Sequence, residues 1–76
     1  MELYKWYKGT TCPTGESLCI VIWGHYGSTY CALCRIVKSQ YYQSYDFYKE
    51  SGGSCIELEQ IIRWMPIKFP KGVEIE

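Results

Sequence analysis

The sequence predicts a mainly β protein: a small antiparallel sheet of four to five strands with short hairpins and room for one short helical turn. Three observations predict it. Leu18–Trp23 (LCIVIW) is continuous, β-branched and too short for a helix. Clusters of Gly, Pro and Ser at residues 9–17, 24–28 and 51–54 punctuate the apolar segments as turns do. Aromatic residues make up 17% of the chain, tyrosine above all, and such side chains suit pleated surfaces.

In chain order, Glu2–Lys8 (ELYKWYK) alternates imperfectly and is aromatic-rich, which suits a first strand. Gly9–Ser17 (GTTCPTGES) reads as a loop with a turn near Pro13–Gly15. Leu18–Trp23 follows as a strand buried on both faces, and Gly24–Ser28 (GHYGS) as its hairpin connection. Thr29–Lys38 (TYCALCRIVK) is the second central strand. Period-two counting puts Tyr30, Ala32, Cys34 and Ile36 on an apolar core face, and Cys31, Leu33, Arg35 and Val37 on a mixed one. Ser39–Glu50 has helical spacing in Tyr41, Tyr45 and Tyr48, but its aromatics favour a turn followed by a strand over Tyr45–Lys49. Ser51–Ser54 (SGGS) is a tight turn, and Glu57–Gln60 suits a helical turn. Ile61–Met65 must be extended, because the residue before Pro66 is driven out of the helical region. The tail after Pro66 alternates weakly, and Pro70 confines it to an edge or an irregular arm.

A chain of 76 residues makes one domain, residues 1–76, and 47% hydrophobic content is enough to collapse it. It also carries more large amphipathic side chains than so small a core can hide. The surplus points to a binding surface or a homo-oligomer interface. Eight basic residues balance eight acidic ones with no basic run, which argues against a DNA or RNA polymer as partner. No apolar run approaches the roughly 18 residues of a membrane span, and none resembles a signal-peptide core. Five cysteines cannot all pair within one chain, so free thiols in a reducing cytoplasm are expected.

The pair Cys31 and Cys34 has metal-ligand spacing, but Ala32 and Leu33 offer no Gly or Pro to fold a zinc knuckle. On a strand the two thiols point to opposite faces, and the β-branched Ile36 and Val37 give no helix to activate either. Both are expected to be buried strand cysteines. His25, the only histidine, has no nucleophile at a motif spacing, and Gly52-Gly53 lacks the Lys and Ser/Thr of a phosphate loop. No cofactor motif and no catalytic apparatus is visible, so a non-enzymatic role is expected. The binding candidates are aromatic: Tyr26, Tyr30, Tyr41, Tyr42, Tyr45 and Tyr48, with Trp23 and Trp64, could line a pocket or interface. Of these Tyr26, Tyr30, Tyr42, Tyr45 and Trp64 are the leading candidates to stack on a nucleobase, with Arg35 and Arg63 neutralising a phosphate.

Arg63-Trp64-Met65-Pro66-Ile67 resembles the ending of a widespread family of short phage and prophage proteins of unknown function, which close on a W-M-P-L-P-like signature. Pro13-Thr14-Gly15-Glu16 followed by Leu18–Ile22 resembles the turn and strand near that family's start. The chain departs from the pattern at Lys68-Phe69-Pro70, and Arg63 stands where the family often has His. The resemblance implies a phage-type setting, a small β fold and, if phage-encoded, the host cytoplasm. In that setting a tyrosine-rich sheet could sequester a nucleotide-like immune signal and so counter host defence. The alternatives are a protein that covers a host defence protein with an aromatic face, and a small zinc module built on Cys31 and Cys34.

Overall fold

The computed structural model describes residues 1–68. One antiparallel sheet runs through them, formed by β1 (Tyr7–Lys8), β2 (Ser17–His25), β3 (Ser28–Lys38), β4 (Tyr45–Lys49), β5 (Cys55–Ile56) and β6 (Ile61–Ile67). A single 3₁₀ turn, Leu58–Gln60, leads into β6, close to the helical turn expected there. The strand order is β1-β6-β2-β3-β4-β5. The sequence pattern predicts the class and the long strands. The count rises to six because a two-residue edge strand, Cys55–Ile56, joins the five expected.

Local chemistry accounts for each boundary. β2 and β3 meet at a two-residue turn in which Tyr26 (φ 47°) and Gly27 (φ 78°) are both left-handed, as a type I′ hairpin requires. The expected first strand shrinks to Tyr7–Lys8, because Tyr4 adopts φ 62° and breaks the extended run. Gly9 lets β1 approach β6 closely, its amide donating to the Ile62 carbonyl at 2.9 Å. Pro66 lies inside β6 without breaking it. Its carbonyl accepts from the Tyr4 amide on the β1 side, so the missing N–H faces where β1 has already ended. The expected tail beyond Lys68 lies outside the described residues.

The sheet buries one face. Cys19, Val21, Cys34, Ile36, Phe47, Ile56, Ile61 and Trp64 form the core on it. Trp64 is the centre: its ring stacks on Tyr7 (centroids 4.8 Å) and meets the edge of Phe47 at 5.7 Å. Three strand spacings separate β4 from β6, about 14 Å in a flat sheet. The Phe47–Trp64 contact therefore requires the sheet to curl around the indole. The Trp64 Nε1–H donates to the Thr11 carbonyl at 3.2 Å, so the core holds no unpaired indole N–H.

Two expectations about burial are corrected. β2 is not buried on both faces: Cys19 and Val21 are buried, while Leu18, Ile20 and Ile22 on the other side are half-buried, since among the described residues no second layer covers them. Likewise Cys34 is buried but Cys31 is exposed. Tyr30 shares the core face by parity but is 45% exposed, because it lies beyond the end of the packed core.

Candidate functional site

A cavity of about 530 Å³ opens on the inner face, at the end of the sheet nearest the β2–β3 turn. Its walls are Trp23 and Tyr30, cross-strand partners whose rings stack at 5.5 Å. The two-residue turn dictates that register, since His25 faces Ser28 and Trp23 therefore faces Tyr30. Lys49 enters from β4 beside Cys34 and places its Nζ 5.8 Å from the Trp23 ring centre. That position is within cation–π range, and among the described residues no carboxylate forms an ion pair with the ammonium. On the opposite wall the Gln60 amide Nε2 lies 2.9 Å from His25 Nδ1. An amide nitrogen can only donate, so this contact pairs with the tautomer in which Nδ1 accepts and Nε2 holds the proton. Ser54 and Glu57 complete the polar rim.

The residues singled out in the sequence do not form one site. Tyr30 lines this cavity, and Tyr26 stands at the hairpin tip beside it, 94% exposed and edge-on to His25. Tyr42 is exposed in the loop at the far end of β3, with its amide held by the Ser39 hydroxyl. Tyr45 lines a second cavity of about 450 Å³, walled by Pro13, Phe47, Leu58 and Ile61 with Cys12 at its margin. Trp64 is wholly buried and offers no open face for stacking. Arg35 and Arg63 project from the other side of the sheet, facing away from the aromatic cavity. Arg35 is also occupied, its Nε donating to Glu50 at 2.8 Å, and it borders an open depression with Leu18, Ile67 and Lys68.

Trp23 belongs to the aromatic set that the sequence offers for a pocket, and it lines this one. Lys49 and Gln60 were not singled out in the sequence. Lys49 depends on the β3–β4 register, which the loop at residues 39–44 sets without a recognisable turn signal.

Cys31 and Cys34 project to opposite faces, as the strand period dictates. Among the described residues no group of three His, Cys, Asp or Glu side chains converges on a metal position. Cys19 and Cys34 lie directly opposite each other in the core. Burial, then the neighbouring thiol, pushes Cys19 up to about 12 from the ordinary 9.0. Burial raises Cys34 to about 11, against the lowering pull of Lys49. Both thiols are thus protonated and inert as nucleophiles. Because the folded values lie above the unfolded one, this contribution to stability is complete below pH 9.0. It is lost as the pH climbs from there through the folded values. The melting temperature is expected to fall steadily above pH 9.0, and a Cys34→Ala variant to show a shallower fall. Parallel wild-type and variant slopes would contradict this.

No family model, curated protein or solved structure matches the chain. The likeness to the phage family therefore rests on the quoted segments, with Trp64-Met65-Pro66 its most specific part.

Proposed function

We propose that this chain is a non-enzymatic binding protein whose Trp23–Tyr30 cleft takes a planar, anionic ligand of the nucleotide class. One observation carries the reading: the Lys49 ammonium, in no ion pair among the described residues, stands over the Trp23 ring of a stacked aromatic pair at a cavity of about 530 Å³. That volume falls within the range of small-molecule sites, roughly 300–1,000 Å³. The open side of Tyr30 supports stacking of a base, Lys49 supports a phosphate, and the Gln60–His25 pair supplies donors for a base edge or ribose. The phage-type setting implied by Trp64-Met65-Pro66 gives such binding a purpose, sequestration of a nucleotide immune signal in the host cytoplasm.

The test is titration of the protein with cyclic dinucleotides, ADP-ribose and simple mononucleotides, read by tryptophan fluorescence and thermal stability. At least one of them is expected to quench the fluorescence saturably and raise the melting temperature. Lys49→Ala should weaken that binding about 10–100-fold, the worth of a charge-assisted hydrogen bond. Tyr30→Ala should weaken it comparably through lost stacking, whereas Tyr42→Ala, in the remote loop, should leave it unchanged. No saturable signal from any of these ligands would overturn the reading.

A further inference from the structure

The outer face of the sheet carries an apolar strip, bordered by Arg35, Asp46, Glu50 and Arg63, where an antiparallel sheet with one face in water ordinarily shows polar residues throughout. Leu18, Ile20 and Ile22 project from β2, Leu33 from β3, and Met65 and Ile67 from β6. Leu33 is 43% exposed, and the other five are half-buried. The described residues form one sheet, with no second layer over this side.

The strand registers fix how the charges sit around this patch. Arg35 is beside Leu18 on β3, and Arg63 is beside Ile22 on β6, so the two arginines occupy diagonally opposite corners. Between them the middle row, Met65–Ile20–Leu33, carries no charge and ends at Glu50, already paired with Arg35. A surface packed onto this row would bury no unpaired charge.

We infer that this face is the interface of a symmetric dimer, in which a second copy of the chain supplies the missing layer. Three strands by about six residues give a patch of roughly 300 Å² in plan. That is the size of the largest apolar patch a typical monomer exposes. Counted on both copies it reaches about 600 Å² before side-chain relief is added, the size of a weak, reversible association. Its composition favours a second copy over an unrelated partner, since homodimer interfaces are the more apolar class. A two-fold contact also needs a patch that complements itself, and an uncharged aliphatic row does so. The pairing would lay two sheets about 10 Å apart, adding a second layer to the single sheet of the described residues. Trp23, Tyr30 and Lys49 lie on the opposite face, so each copy keeps its cleft open and the dimer stands or falls independently of the ligand.

Sedimentation of the full chain over a range of concentrations tests this. The wild type is expected to reversibly form a dimer. Leu33→Lys should raise the dissociation constant at least ~100-fold, because two ammonium groups would be buried per interface. Tyr26→Ala, at the exposed hairpin tip, should leave it unchanged. Alkylation of Cys31, which shares the outer face, gives a second measurement that needs no variant. It should slow as protein concentration rises, with Cys12 as the internal reference. A monomer at every concentration overturns the inference. So does a dimer that survives Leu33→Lys with Cys31 unprotected, or a monomer that captures a different protein through Leu33.

Discussion

Trp64→Ala is expected to cost about 3–5 kcal/mol, the usual penalty for truncating a large buried aromatic. A 76-residue domain has only roughly 4–11 kcal/mol of stability to lose. The variant should therefore be largely unfolded or close to it at room temperature. The size of the effect follows from position. The indole touches Tyr7 of β1 and Phe47 of β4, and its N–H holds the Thr11 loop, so one truncation releases three separated parts of the chain. Trp64→Phe keeps an aromatic ring but loses the bond to Thr11 and should fall between the two. Trp6→Ala, which removes a 42% exposed ring, should stay within about 1 kcal/mol of wild type. Urea denaturation followed by circular dichroism ranks the three, and a Trp64→Ala midpoint near that of the wild type would remove the indole from the centre of the fold.

Gly9→Ala is the second large effect, and its origin is steric. A Cβ at residue 9 would collide with the Ile61 carbonyl oxygen and sit 2.7 Å from its carbon. Both are backbone atoms of β6, so no rotamer change relieves the clash, and β1 must leave the sheet. The loss should reach at least about 3 kcal/mol, the upper end of ordinary overpacking. Gly15→Ala provides the control, since its added methyl meets nothing within 4 Å. Thermal melts of the two variants decide the matter: equal melting temperatures would mean that β1 does not pack against Ile61 as described.

The fold was largely legible because its signals are local. Gly27 and the β-branched runs flanking it specify a hairpin, and Pro66 forces the residue before it to be extended. The site was less legible because it depends on which face of each strand is covered. Alternation grouped Tyr30, Ala32, Cys34 and Ile36 correctly, yet only the covering elements show that the core ends before Tyr30. Trp64 illustrates the same gap. Its aromatic character suits ligand stacking and core packing equally, and long-range pairing with Tyr7 and Val21 places it inside. Arg35 looked like a free phosphate anchor because Glu50 is 15 residues away in the chain, across the β3–β4 connection.

The strand order has a consequence for how the chain acquires its structure. β2 and β3 are joined by two residues and can pair within microseconds, as short hairpins do. β6 must close back onto β2 across more than half the chain, and β1 can only join β6 afterwards. During synthesis, Cys19, Val21, Ile36 and Phe47 therefore emerge well before residue 64, the indole that completes their packing. Until then the nascent hairpin presents apolar side chains on both sides, and this interval is when the chain is most exposed to aggregation and to chaperones.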